Sequence, residues 1–181
     1  MTDKIIYFYE DERRCCEGEK YHALLDYAFS KTDYFMLVYV NYFGNGYKAK
    51  QKYFKNALKK FQIKTRSNPS WPGTLHTYTL DPVRKTTYKV IFYRNTEEAK
   101  EILKEASSLD TWSCPEHPED LAFFRGNQCW FYSVGHEGIA AIIHADEEDL
   151  AFLEKIGVAS REEAYDHTND YFEQYNEQIE K

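Results

Sequence analysis

The order of helical and strand-like apolar patterns along the chain is the feature that most limits its fold. Residues 21–29 place apolar side chains at helical spacing, so they predict a helix with one buried face. Residues 34–40 are a continuous aromatic and aliphatic run, which predicts a buried strand. Helical spacing returns in 53–61, and strand-like segments follow at 74–80 and 86–93. Strands and helices therefore interleave in the first half of the chain.

Turn and capping signals divide the next part of the chain in the same way. The sequence Asn95–Glu98 predicts an N-cap and an acidic first turn for a helix that reaches residue 106. Gly126–Asn127 predicts a hairpin turn between strands at 121–124 and 128–134. A further strand is predicted at Gly138–His144, so hairpins occur among the interleaved elements.

Two more helices are predicted towards the end of the sequence. Asp146 is placed to cap a helix that ends at Gly157. Ser160–Glu163 matches a capping box and predicts a C-terminal helix over about 160–180. The 181 residues suit one globular domain, 1–181. We therefore expect an α+β fold with a mixed or antiparallel sheet and about four to five helices, for which a ferredoxin-like core is one candidate topology.

Charge is distributed unevenly along the sequence. Residues 31–70 contain nine Lys and Arg against one acid, whereas residues 101–181 contain five against nineteen. The acidic region favours another protein, and a basic one in particular, as the partner. Nucleic acid is disfavoured because the whole chain has a net charge of -7, although Lys and aromatic residues interleave in 47–66. The oligomeric state is left open.

The cysteine pattern and the N-terminal residues indicate the compartment. The four cysteines include the adjacent pair Cys15 and Cys16, which is a poor disulfide candidate, so we expect free thiols. The apolar run Ile5–Tyr9 is too short for a signal peptide, and no segment is long enough for a membrane span. We therefore expect a cytoplasmic protein without a membrane anchor.

Catalytic and cofactor motifs are weak throughout. Cys114 and His117 have a spacing seen at zinc sites, but their only cysteine complement is the adjacent pair Cys15–Cys16, so no metal is predicted. Cys129 lies inside a predicted strand, where a thiol is usually a packing residue. No phosphate-binding loop is complete. We expect no cofactor and no catalytic residues.

Two loops are the candidate binding regions. In the loop from Asn68 to Gly73, two prolines flank Trp71, so the backbone is restricted and the indole is a candidate anchor on the surface. The competing interpretation is that Trp71 folds back over the core edge, and burial of the side chain distinguishes the two.

The second candidate region is the turn that carries His136 and Glu137. An adjacent His and Glu could transfer protons or bind a polar ligand, with Trp130 and Tyr132 of the preceding strand nearby in sequence. A solvent-exposed turn is the competing interpretation. A small-ligand protein or enzyme with a Tyr-lined pocket at His136 and Glu137 is therefore the alternative to a binding protein.

Several segments resemble a family of small uncharacterised proteins from bacilli. These are 121–133, 135–144, Asp11–Cys15 and the loop 68–73. Some of these relatives carry the label "stage III sporulation protein AH". The resemblance implies no activity and no binding residues. Together with the weak catalytic motifs, it leads us to expect a non-enzymatic cytoplasmic binding or regulatory protein of a Gram-positive bacterium.

Overall fold

The protein contains one large sheet with helices packed against it. A computed structural model describes residues 3–8, 16–40, 49–68, 70–74, 88–167, 170 and 179, with residues 49 and 50 described by their backbone only. The strands within these ranges are β1 Lys4–Phe8, β2 Tyr34–Tyr39, β3 Gln62–Asn68, β4 Tyr88–Arg94, β5 Glu119–Arg125, β6 Gln128–Val134, β7 Ile139–Ile143 and β8 Ser160–Ala164.

Four α-helices are described, as the sequence led us to expect. They are α1 Gly18–Lys31, α2 Ala49–Ala57, α3 Glu97–Leu103 and α4 Glu147–Lys155. Short 3₁₀ helices follow α2 (η1, Lys59–Phe61), precede β5 (η2, Leu109–Thr111) and connect β6 to β7 (η3, Gly135–Glu137). None of the described helices is long and apolar enough to cross a membrane.

The sheet has the strand order β3-β4-β2-β5-β6-β7-β1-β8, and every neighbouring pair is antiparallel. The predicted α+β class with an antiparallel sheet is therefore confirmed. From β2 to β5 the elements follow the order strand, helix, strand, strand, helix, strand, and these four strands are neighbours. Within the described ranges the sheet nevertheless has eight strands, more than a ferredoxin-like core.

The four helices cover one side of the sheet, which we call the first face. Alternate side chains point to opposite sides of a strand, so β2 sends Phe35 and Leu37 to this face. They pack with helix residues such as Leu24 of α1 and Leu103 of α3. The predicted caps begin two of the helices: Thr96 Oγ1 accepts from Ala99 N–H at 3.1 Å, and Asp146 forms a capping box with Asp149 at the start of α4.

The opposite side of the sheet, the second face, has its own buried cluster. Met36 and Val38 of β2, Phe92 of β4 and Phe124 of β5 belong to it. Trp71 packs in the same cluster from the loop after β3. The sheet is therefore buried on both sides, but only the first face is covered by α-helices of the described residues.

Three expectations need correction. Residues 160–164 form the strand β8, not the start of a helix, because they pair with β1, which would otherwise be an edge. The strand β3 was not expected, since it is polar and lies at the opposite edge of the sheet. Tyr53, which the helical spacing in 53–61 predicts to point inward, is 48% exposed. Residues 75–80 of the strand predicted at 74–80, and most of the predicted C-terminal helix, lie outside the described residues.

The fold also separates the charges in space. The basic stretch of the sequence supplies β3, with Lys64 and Arg66, at one edge of the sheet. The acidic stretch supplies β8, with Glu162 and Glu163, at the other edge. The two edges are the farthest separated strands of the sheet, so the basic residues of β3 and the acidic residues of β8 lie at opposite ends of it.

Candidate functional site

Trp71 lies inside the protein and not on its surface. Its side chain is 6% exposed, so the expectation of an exposed aromatic anchor is wrong. The indole packs on the second face, with its ring centroid 4.8 Å from that of Tyr88, and its Nε1–H donates to Asp120 Oδ2 at 2.6 Å. The physical reason is that the indole reaches both an apolar surface and a buried acceptor for its only polar group.

Asp120 is the residue that fixes this arrangement. It is 1% exposed and its backbone has φ +53°, a conformation that Asp tolerates better than most residues. While Oδ2 accepts from Trp71, Oδ1 accepts from the backbone N–H of Gly135 at 3.0 Å. One carboxyl group at the start of β5 therefore connects the loop after β3 to the turn between β6 and β7.

Burial raises the pKa of Asp120 to about 7. The nearby acids Glu119 and Glu137 raise it too, while the hydrogen bonds from Trp71 and Gly135 act in the opposite direction. A carboxyl group with such a shift is often functional. Here both oxygens are occupied by protein donors and the side chain is inaccessible, so the arrangement supports a structural link and not proton transfer to a substrate.

Two glycines allow the backbone to approach this link closely. A Cβ atom on Gly135 would lie 2.2 Å from the carbonyl oxygen of Trp112, a separation that no side chain can adopt. A Cβ atom on Gly73, where φ is +88°, would lie 2.8 Å from side-chain atoms of Tyr132 and Val134. The loop 70–74 therefore rests directly on β6.

A small hollow opens beside the indole. It has about 10 Å³ of free space, close to the volume needed for one water molecule. Two residues that the sequence predicted for binding, Asn68 and Trp71, lie in its wall. The complete lining is Met36, Asn68, Ser70, Trp71, Pro72, Val90, Phe92 and Phe124.

The second predicted region is not gathered into a pocket. His136 and Glu137 have side chains that are 52% and 56% exposed, with Nε2 and Oε1 3.6 Å apart. Trp130 is buried in the first-face cluster, whereas Tyr132 is buried in the second-face cluster. Because the sheet separates these two aromatic rings, they do not line one cavity together with His136 and Glu137.

A different set of titratable side chains meets at the β8 end of the sheet. Asp3 precedes β1, His144 follows β7, and Tyr165, His167 and Asp170 follow β8. His144 Nδ1 contacts Asp3 Oδ2, while His167 Nδ1 and the Tyr165 hydroxyl contact Asp170. The sequence analysis did not find this cluster because Asp3 and His144 are 141 positions apart, and only the His167-x-x-Asp170 spacing is a local signal.

The three cysteines of the described ranges are thiols and form no disulfide. Cys16 and Cys129 are buried, and Cys114 accepts a hydrogen bond from Gln51 at 3.3 Å. Burial raises the pKa of Cys114 to about 11, which disfavours the nucleophilic thiolate. Cys15 lies outside the described residues. Within the described ranges, no three His, Cys, Asp or Glu side chains are arranged to hold a metal ion.

Comparison with protein-family models, with curated proteins and with solved structures gives no match to this chain. The geometry of the hollow and of the charged edges is therefore the basis on which a function is proposed.

Proposed function

We propose that this is a non-enzymatic binding or regulatory protein of a Gram-positive cytoplasm, and that it holds an apolar side chain of a partner protein at the hollow beside Trp71. The observation that carries the proposal is the position of Asn68 and Trp71 in the wall of one hollow. Trp71 contributes to binding as a fixed wall and not as a projecting anchor.

The chemistry of the wall suits an apolar group. Met36, Val90, Phe92 and Phe124 supply apolar surface from three neighbouring strands. Asn68 supplies the polar side chain at the end of β3. Binding sites are typically apolar concavities with a few polar groups that orient the ligand. The free space is small, so a side chain enters only if Pro72 and its neighbours shift outward.

The sheet register adds a preference for charge. Lys64 pairs with Phe92 and Arg66 pairs with Val90, and both of these β4 residues line the hollow. Directly paired residues point to the same face of a sheet, so the two basic side chains border the hollow. This favours an acidic segment of the partner at this site. The basic partner expected from the net charge would be attracted to the opposite edge, at β8.

Two single substitutions on β3 test the proposal. Asn68→Ala removes the polar group of the hollow, and Gln62→Ala is the control at the other end of the same strand. Immobilised wild-type protein should recover a stoichiometric partner from lysate of the source cell at low salt, and less of it at high salt. Asn68→Ala should lose that partner while keeping the wild-type denaturation midpoint. Equal recovery by both variants, or a clean monomer without any partner, would count against the proposal.

A further inference from the structure

The cluster at the β8 end joins three separate parts of the chain. Asp3 stands before β1, His144 stands after β7, and the residues from Tyr165 to Asp170 follow β8. Their backbones are also connected, since Tyr165 N–H donates to the Asp3 carbonyl at 2.9 Å. The side chains of His144 and His167 lie close together, with ring centroids 6.1 Å apart.

Both ring nitrogens of His144 face carboxylates. Nδ1 lies 2.5 Å from Asp3 Oδ2, and Nε2 lies 3.4 Å from Asp170 Oδ1. The Nδ1 contact is a hydrogen bond, whereas the Nε2 contact is a longer electrostatic one. The ring of His144 therefore joins the residue before β1 to the segment after β8.

His167 completes the contacts of Asp170. Its Nδ1 lies 2.6 Å from Asp170 Oδ2, and the Tyr165 hydroxyl donates to Oδ1 at 2.8 Å. The hydrogen bond to Asp170 raises the pKa of His167, and the charges of Asp3 and Asp166 act in the same direction. The surroundings therefore favour the protonated form of His167.

Both histidines adopt a left-handed backbone conformation, with φ +54° at His144 and +60° at His167. A residue with a side chain is uncommon in this region, although His is enriched there. Such conformations persist where surrounding contacts hold them. The side-chain bonds to Asp3 and Asp170 are the contacts that hold them here.

We propose that Asp3, His144, His167 and Asp170 form a proton-controlled clasp that fastens the residues after β8 to the ends of β1 and β7. Protonated His167 keeps the clasp closed, and loss of its proton weakens it. Further charged groups of the described residues at this corner include Asp166, Lys4 and Glu162, of which Lys4 and Glu162 form an ion pair at 2.9 Å. The negative charges of Asp3 and Asp166 favour the protonated form of His167 and therefore the closed clasp.

The direction of the pH dependence follows from the raised pKa of His167. Its stabilising effect is complete below the ordinary histidine pKa of about 6.5 and is lost as the pH rises through the higher value of the folded protein. The clasp is therefore closed in mildly acidic solution and loosened in alkaline solution.

Ring titration by NMR on the full chain tests this directly. The His167 midpoint should lie above the ordinary value in the wild type and fall in Asp170→Asn. The control ring is His136, whose midpoint Asp170→Asn should leave unchanged. The matched control substitution is Glu137→Gln, which replaces the neighbour of His136. An unchanged His167 midpoint in Asp170→Asn would overturn the clasp.

Amide exchange gives a second readout that does not depend on any variant folding. The protection factor of the Tyr165 N–H should fall several-fold between mildly acidic and alkaline pH. The Asp33 N–H donates to the Phe124 carbonyl near β2 and β5, away from the β8 edge, and should keep its protection. A constant ratio of the two would contradict the proposal. Added Zn²⁺ could instead restore the protection of the Tyr165 N–H at alkaline pH, with that effect lost in His144→Asn. This result would show that a metal ion and not a proton controls the clasp, and would overturn the proposal.

Discussion

The two faces of the sheet are closed by different means. Four described helices cover the first face, where Trp112 Nε1–H donates to the Tyr21 hydroxyl and that hydroxyl donates to the Leu103 carbonyl, each at 2.9 Å. The buried carboxyl group of this face, Asp149, lies on α4 itself and accepts from the Tyr27 hydroxyl at 2.9 Å. On the second face, a loop is held by the bond between Trp71 and the ionisable Asp120. The first face is therefore closed by helices, whereas the closure of the second face depends on one loop that a single buried side-chain bond links to β5.

The largest expected effect is a loss of stability when the indole that closes the second face is removed. Trp71→Ala removes a buried ring and should lower the free energy of unfolding by about 3–5 kcal/mol, the usual cost of such a truncation. Trp71→Phe keeps most of the ring and should cost less. Urea denaturation of both variants measures this. A loss below about 1 kcal/mol for Trp71→Ala would show that the loop is not held by its indole, since surface substitutions typically change stability by about 0.5 kcal/mol or less.

The second effect concerns pH and tests the link that the Asp120 carboxyl group makes on the second face. Folding raises the pKa of Asp120 to about 7, so its stabilising effect is complete below the unfolded value of 3.8 and is lost as the pH rises through 7. Between pH 4 and 7 the wild type should lose stability relative to Asp120→Ala, on the order of 3 kcal/mol, because one pKa unit corresponds to about 1.36 kcal/mol. Denaturation of both proteins across this range measures the difference. Parallel curves would contradict the assignment.

The third effect tests the close approach at the turn beside Asp120. Gly135→Ala places a Cβ against the Trp112 carbonyl, a backbone atom that cannot swing away, so we expect a loss of about 2–3 kcal/mol. The control is Gly126→Ala, where the space is open and only the left-handed backbone costs about 1–2 kcal/mol. Thermal or urea denaturation compares them. A smaller loss at Gly135 than at Gly126 would contradict the packing described here.

The smallest effect is expected on the first face. Asp146→Ala removes the capping box of α4 and should cost about 1 kcal/mol, the usual value for an N-cap. The NMR signal of the Trp71 indole N–H should stay in place, because this cap lies on a helix of the other face. A shift of that signal would show that the two faces are coupled more closely than their separate clusters indicate.

Local signals predicted much of the fold. The caps at Thr96 and Asp146 and the turn at Gly126–Asn127 occur where the sequence placed them, because the chemistry of a cap or turn is contained in a few adjacent residues. The strand β8 was missed because Ser160–Glu163 satisfies a helix-capping pattern. Pairing with β1 is a long-range interaction, and it outweighed that local preference.

The candidate site was predicted only in part. The Pro-flanked loop drew attention to Asn68 and Trp71, and both line the hollow. The burial of Trp71 could not be anticipated, because its acceptor Asp120 is 49 positions away and carries no local motif. His136 and Glu137 were singled out because they are adjacent in sequence, but adjacency on a turn leaves both exposed.

The central claim is that the bond between Trp71 and Asp120 holds the loop on the second face. A double-mutant cycle of Trp71→Phe and Asp120→Ala, measured by urea denaturation at about pH 9, where a carboxyl group with a pKa of about 7 is ionised, tests it most directly. Any backbone cost of the Ala substitution cancels in the cycle. The structure predicts a coupling of about 1.5–3 kcal/mol, the range for a hydrogen bond to a charged group. Substitution effects that add to within about 0.5 kcal/mol would show that the two side chains act independently, and would contradict the claim.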